Sequence, residues 1–282
     1  MRDSNLRSSE EREFKFTRKQ FVWVRDKLYE HCGIVLSDHK ESMAYNRLVR
    51  RVRELKLDGF DAYLSYLDSH PAEFNQFVNA LTTNLTAFFR EAHHFDFVRD
   101  HIVPQIRQSG RRTTRCWSAG CSLGEETYSL AMTLAESFAN MPSMDWRIHA
   151  TDIDSDVLAH GSSGVYMRER LNAVQERQLH RWFLKGSGAQ VGKVKIKPEL
   201  RRHIDFQQVN LMADWPIDGP LDFIFCRNVM IYFDQQTQAR LLGRMAELLR
   251  PNAYLFIGHS ESINKLTDRF RLVGKTIYQK VK

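Results

Sequence analysis

The stretch R-C-W-S-A-G-C-S-L-G-E-E-T-Y-S-L-A-M, Arg115 to Met132, decides how the chain is read. A short apolar run stops at Gly120, small residues continue to Gly124, and two carboxylates, Glu125 and Glu126, stand where a helix begins. From Tyr128 onward Leu130, Ala131, Leu134, Ala135 and Phe138 recur near helical spacing. Strand, tight turn and helix N-terminus make a nucleotide-binding βα unit. Small residues in the turn let a ligand come close to the backbone. A turn built for phosphates favours Lys or bare amides, whereas paired glutamates favour a cation. The ligand read from this turn is a nucleoside carrying positive charge, and S-adenosylmethionine, with its sulfonium and amino group, fits. The same glutamates would also complement a helix dipole without binding anything.

Outward from this turn the chain falls into two parts. At 282 residues it has room for one domain of roughly 200 residues and a smaller one. From Thr17 to Arg107 everything reads as helix: Thr17 caps a segment ended by Gly33, and a second helix runs from Ser37 or Asp38 to Leu55. Shorter helices follow over Phe60–Leu67, from Pro71 to Leu81 and from His93 to Ile106. The polar segment Q-S-G-R-R-T-T-R, Gln108–Arg115, marks the boundary, giving a helical domain over 1–107 and an α/β domain over 108–282. Strands are expected to end at Gly120, Asp152, near Asn210, near Arg227 and at Ser260, with K-T-I-Y-Q-K-V closing the sheet antiparallel. Gly186, Gly188 and Gly192, followed by the alternating K-V-K-I-K, predict a small hairpin subdomain with an exposed edge over about 184–200.

Composition narrows the function. Hydrophobic residues make up 43%, enough for a sizeable core, and disorder is expected only in the polar first dozen residues. No apolar run approaches the ~18 residues of a membrane span, and the N-terminus lacks the apolar region of a secretion signal. Cys32, Cys116, Cys121 and Cys226 are scattered, as in a protein of the reducing cytoplasm. His31, His101, His149, His203 and His259 have no metal-ligand spacing, so no metal is expected. The net charge of +7 predicts attraction to something acidic without saying what.

In open α/β sheets ligands bind beyond the carboxyl ends of the strands. That rule gathers the Gly120–Glu126 turn, Asp152, Asn210 with Leu211, and Arg227 to Tyr232 into one crevice. Asp152 could accept both ribose hydroxyls, or Asp152 and Asp154 could be a helix cap and its neighbour. Asn210 could bond an adenine edge while Leu211 packs on its face, or be a turn asparagine. A dinucleotide enzyme would want G-x-G-x-x-G with its acidic residue about 20 residues on; here Asp152 lies 28 residues beyond Gly124.

The segments T-T-N-L-T-A-F-F-R-E-A-H-H-F, W-S-A-G-C-S-L-G-E-E, A-T-D-I-D, V-N-L and F-C-R-N-V-M-I-Y-F stand in this order, and together the chain resembles the CheR family from about Phe16 to its end. These are chemoreceptor glutamate methyltransferases of bacterial chemotaxis. The resemblance implies a Rossmann-like S-adenosylmethionine methyltransferase domain with an inserted antiparallel β-subdomain, preceded by an all-α domain. It implies that Asn84, Thr86 and Arg90 line the cofactor site from the helical side. Gly120 and Glu126 would contribute from the turn, Asp152 from the ribose end, and Asn210, Leu211, Arg227 and Asn228 would complete the pocket. Tyr232 would reach the reacting centre. The family turn has Pro after the paired glutamates, where this chain has Thr127.

The implied acceptor, a glutamate side chain of reference pKa about 4.3, is already ionised at neutral pH. No general base is required; in-line placement, close approach and removal of water are. Arg90 and Tyr232 are the expected positioning pair at the reacting atoms. Arg47, Arg50, Arg51 and Arg53 on the second helix form a basic strip that could dock the acidic methylation helices of receptors, or be a solvated face. The glycines Gly186, Gly188 and Gly192 resemble family members whose subdomain binds a receptor C-terminal peptide as an added strand. The expected partners are methyl-accepting chemoreceptors, without nucleic acid or membrane insertion, and the expected state is a monomer. The competing readings are a methyltransferase for another acidic or nucleic-acid substrate and a non-catalytic, receptor-docking cofactor sensor.

Overall fold

A computed structural model describes residues 12–282; the disorder expected for the first dozen residues falls, apart from Arg12, outside this range. The compact units divide between Thr83 and Asn84. In the first, the Thr17 hydroxyl accepts from the Gln20 backbone and the Gln20 side chain accepts from the Thr17 backbone, a reciprocal cap that starts α1 (Arg18–Cys32). Gly33, at φ 71°, ends it in the left-handed conformation. A 3-10 turn leads into α2 (Glu41–Glu54), followed by α3 (Phe60–Ser69) and α4 (Pro71–Leu81), the last with proline at its first position. Phe21, Val24, Leu48, Val52, Phe60, Tyr63 and Phe77 are buried between these helices, and Phe16 packs on Phe60 with ring centroids 4.4 Å apart.

The division lies well before residue 107, where the change from helix to strand pattern had placed it. The helical segment made of α5 (His93–Phe97), a π turn over Val98–Ile102 and α6 (Val103–Gln108) belongs to the second unit. Its Phe95, Val98, Ile102 and Ile106 join one hydrophobic cluster with Cys116, Phe223 and Phe225. Composition registered where strands begin; packing against the sheet decides which unit owns the helix.

In chain order the second unit continues with β1 (Thr113–Ala119), α7 (Glu125–Ser137), β2 (Asp145–Asp152) and α8 (Ser155–Ser163). It then has β3 (Val165–Met167), α9 (Glu176–Trp182), β4 (Phe183–Lys185), β5 (Lys193–Ile196) and α10 (Pro198–Arg201). Last come β6 (Ile204–Gln208), β7 (Leu221–Phe225), α11 (Gln235–Leu248), β8 (Leu249–Phe256), β9 (Phe270–Gly274) and β10 (Ile277–Lys280). The main sheet has the order β6-β2-β1-β7-β8-β10-β9. The first five are parallel and the last two join antiparallel. Successive residues face opposite sides: Cys116, Phe223, Phe225 and Phe256 meet α7 and the 93–108 helix on one face, while Trp117, Ile224 and Leu255 meet Leu241, Leu242 and Met245 of α11 on the other. Burial on both faces explains why β7 reads as an unbroken buried run. Strand β9 went unread because Arg271, Leu272 and Val273 are exposed on an edge.

The small sheet departs from the expected hairpin. It has three strands in the order β3-β5-β4, drawing β3 from residues well before 184. The alternating K-V-K-I of β5 is its centre, so the open edges are β3 and β4. Val194 and Ile196 of β5 are buried together with Tyr166 and Phe183. No helix among the described residues is long and apolar enough to cross a membrane.

Candidate active site

The chain leaves β1 toward β2 on one side and later takes up β7 on the other, so the crevice beyond β1 and β7 is the topological switch point. The turn after β1 is anchored there by Gly120 and Cys121, whose N–H groups both donate to the Thr151 carbonyl at 2.8 and 2.9 Å. Gly120 sits at φ 77°, and a Cβ on it would overlap Val229 Cγ2. The glycine is thus already required by contact with the loop that follows β7. Ser122, at φ 51°, donates its N–H to Asp152 Oδ2 at 2.8 Å, and its buried Oγ has no partner among the described residues.

Asp152 ends β2. Its Oδ1 accepts from the Asp154 N–H at 3.0 Å, and with the Ser122 and Ile153 N–H groups also drawing on the carboxylate a lone pair is left for a ligand. Burial pushes its carboxyl up to about 6, against the pull of the backbone N–H groups of Asp154 and Ser122. Asp154, not Asp152, caps α8, and its Oδ2 accepts from Asn84 Nδ2 at 2.7 Å.

The paired glutamates find their cations inside the chain. Glu125 is fully buried and accepts from Arg170 Nε at 2.9 Å. Glu126 accepts from Ser118 Oγ at 2.7 Å and from Arg227 Nη1 at 3.2 Å. Burial holds Glu126 above the usual carboxylate range, with Arg227 and Ser118 opposing. Arg227, almost wholly buried, also donates Nη2 to the Arg90 carbonyl at 2.5 Å and lies 3.5 Å from Glu91 Oε1. Burial raises Glu91, but Arg227 and His259 outweigh it and hold the carboxyl below its ordinary value.

These arginines tie the segment 84–91 to the crevice. Arg170 Nη2 donates to the Thr86 carbonyl at 3.2 Å, and half-buried Arg90 donates Nη1 to the Leu85 carbonyl at 3.0 Å. Asn84, Thr86 and Arg90 therefore belong to the α/β unit, not to the helical one. Glu91, His93 and His94 bring potential ligand atoms within 4.8 Å of one another, a grouping the sequence reading passed over. The Arg227 guanidinium beside Glu91 opposes a cation there. Burial lowers His94 to about 3, so it is neutral.

At the other strand ends, Val209 N–H donates to the Asp152 carbonyl at 2.9 Å, which brings Asn210 beside the end of β2. Asn210 Oδ1 accepts from Met212 N–H at 2.9 Å, so it does hold a turn. Leu211 is buried in the cluster with Trp117 and Ile217 and presents little surface to a ring. Asn228, at φ 60°, and half-buried Tyr232 follow β7 on the loop that touches Gly120. The sequence reading missed Ser118, Ser122, Arg170 and Glu261. Ser122 lies in the Gly120–Glu126 turn, Ser118 at the end of the strand before it and Glu261 just past the end of another, whereas Arg170 carried no positional signal.

Two predicted surfaces look different in three dimensions. Arg47 holds the end of α4, donating to the carbonyls of Leu81 and Thr82 at 2.9 and 2.5 Å. Arg51 grips buried Glu73 with two bonds of 2.8 and 2.6 Å, and Arg53 donates to Glu13 at 2.7 Å. Arg50 is exposed. The strip is thus largely structural, because neighbouring carboxylates and carbonyls consume its donors. In the small sheet, a Cβ on Gly186 would run into the Gln190 carbonyl, so that glycine serves its own loop; Gly188 and Gly192, at φ 56° and 87°, border open space.

Comparison with known proteins places this geometry. Residues 84–279 match the family described as CheR methyltransferase, SAM binding domain, and residues 19–82 match the CheR methyltransferase all-alpha domain. The chemotaxis protein methyltransferase of Escherichia coli K12 is 50% identical over 261 residues, covering 92% of this chain and 89% of that protein. Chemotaxis protein methyltransferase 2 of Pseudomonas aeruginosa is 48% identical over 268 residues, 94% of each chain. With both units matched, and the matched boundary at the division the packing makes, the chain belongs to the CheR family of S-adenosylmethionine-dependent methyltransferases.

Proposed function

We propose that this chain transfers the methyl group of S-adenosylmethionine to glutamate side chains on the cytoplasmic helices of methyl-accepting chemoreceptors, giving glutamyl methyl esters. The observation that carries the reading is one crevice at the switch point joining Asp152, the Gly120–Glu126 turn, the Asn84–Glu91 segment and the Arg227–Tyr232 loop through direct hydrogen bonds. The residues suit an adenosyl group: Ser122 Oγ is buried without a partner among the described residues, next to Asp152, whose remaining lone pair can accept from a ribose hydroxyl. Asn84, Thr86, Arg90, Gly120, Glu126, Asp152, Asn210, Leu211, Arg227 and Asn228 form the proposed cofactor site, with Leu211 shaping its floor from below.

When bound, the cofactor supplies a methyl group already activated by the sulfonium, with a neutral thioether as leaving group. The acceptor carboxylate is ionised, so this chain needs no proton acceptor. Its task is alignment and drying. Arg90 orients one acceptor oxygen or holds the cofactor's own carboxylate. It should not grip both acceptor oxygens, because that would favour the charged ground state over a transition state whose charge is vanishing. Tyr232 aims the other oxygen. Of the basic strip, Arg50 is left to speed encounter with acidic helices. The open edge of β3 or β4 would accept a receptor tail strand. The enzyme acts as a monomer in the cytoplasm in this reading.

Labelled methyl should pass to purified chemoreceptor in vesicles and be released as methanol by mild base. Base-stable label, or label on added nucleic acid, would refute the glutamate assignment. Asp152 adds a pH test. Its folded value lies above that of an unfolded aspartate, so its stabilising contribution is full below about pH 4 and is lost as pH rises through about 6. Ribose hydroxyls need the ionised form as acceptor. Affinity for S-adenosylhomocysteine should therefore be flat above pH 7 and fall below pH 6, approaching ~10-fold per pH unit. Calorimetric titration across pH 5–8 measures this, and a flat profile would remove Asp152 from the ribose.

A further inference from the structure

Buried Glu261 makes three contacts of one kind: Oε2 accepts from the N–H groups of Asn228 and Gly258 at 2.8 and 2.5 Å, and Oε1 accepts from the Ile231 N–H at 3.2 Å. Two of these donors lie on the loop between β7 and Tyr232. Asn228 is left-handed at φ 60°, so the chain there has left its strand pairing and its N–H needs another acceptor. Only a carboxylate is acceptor-only at both ends, with lone pairs for three donors. The backbone of Glu261 is itself pinned, its N–H donating to the Gly258 carbonyl at 2.9 Å.

Two glycines complete the mount. A Cβ on Gly258 would overlap the Asn228 side chain and stand 2.9 Å from its backbone nitrogen, and a Cβ on Gly120 would overlap Val229. The loop is therefore seated between the cofactor turn and the segment after β8, and Glu261 fastens it.

We infer that Glu261 is a positioning residue for methyl transfer: it never touches the reacting atoms, but its carboxylate fixes the loop that aims Tyr232, with Gly258 as the socket for Asn228. This rests on the assignment of Tyr232 above. Glu261→Gln keeps the shape but presents an amide N–H₂ to at least one of three backbone donors. It should lower kcat for receptor methylation about 10-fold, a larger loss than the weakening of S-adenosylhomocysteine binding that passes through Asn228 on the same loop. Amides of Asn228, Ile231 and Gly258 should exchange faster with solvent, while those of β1 and β7 stay protected. The double variant with Tyr232→Phe should lose no more than Tyr232→Phe alone, since both changes act through one placement. Gly258→Ala, which pushes the same loop from the socket side with Glu261 intact, should reproduce the kcat loss.

Fast loop exchange with wild-type kcat would overturn the inference, as would losses from Glu261→Gln and Tyr232→Phe that simply multiply. If Tyr232→Phe alone kept full activity, the tyrosine assignment would fail, and with it the route by which Glu261 is said to act. Faster exchange in Glu261→Gln would then still establish the clamp itself.

Discussion

Replacing Arg227 by methionine is expected to destabilise the α/β unit by about 3–5 kcal/mol, the usual cost of removing one partner from a buried ionic group. The side chain is 1% exposed and serves Glu126, Glu91 and the Arg90 carbonyl together. Its loss leaves Glu126, already held above its ordinary value by burial, without its hydrogen-bonded cation. It also frees the Arg90 segment from the end of β7, so cofactor binding should fall with stability. Urea denaturation reads the first effect and titration with S-adenosylhomocysteine the second. Adding Glu126→Gln to the methionine variant should recover part of the stability, because the stranded charge is removed while the Ser118 bond can persist. An unchanged urea midpoint for Arg227→Met would mean that the network is not sustained in solution.

The second large effect is expected at Tyr232. Tyr232→Phe removes a single hydroxyl from a half-buried ring, and a urea midpoint measured alongside separates any change in stability from a change in the reaction. If the hydroxyl aims an acceptor oxygen, kcat should fall about 10²-fold with nearly unchanged S-adenosylhomocysteine affinity, the pattern of an interaction used in alignment and not in ground-state binding. Rapid-mixing measurement of methyl transfer at saturating cofactor distinguishes this from slow product release. Equal activity with intact binding would exclude the tyrosine from the reaction.

The local rules of the sequence carried far. Thr17 and Gly33 bounded α1 through capping chemistry that needs no tertiary information. The ends of β1 and β2 followed from apolar runs stopping at small or acidic residues, and the strand-end rule then collected the crevice. What could not be read was pairing. Nothing in one dimension says that Glu125 meets Arg170, 45 residues away, or that Glu126 meets Arg227, 101 residues away. The glutamates pointed to a cationic ligand, but the arginine that the fold gives each of them could not be read. The same holds for the arginine strip: helical spacing placed Arg47 and Arg51 on one face but was silent about the α4 carbonyls and Glu73 waiting there. The domain boundary slipped because the 93–108 helix is local helix but sheet-packed core.

The crevice beyond β1, β2 and β7 is proposed to receive an adenosyl sulfur compound with Asp152 at the ribose. Titration of the purified chain with S-adenosylhomocysteine, before any receptor is added and alongside Asp152→Asn, addresses it directly. Saturable binding of one molecule per chain is expected, weakened at least 10-fold in the variant by loss of a charged acceptor worth about 1.5–3 kcal/mol. A folded chain that gives no binding heat at any temperature tried, or an Asp152→Asn variant that binds as tightly as the wild type, would contradict it.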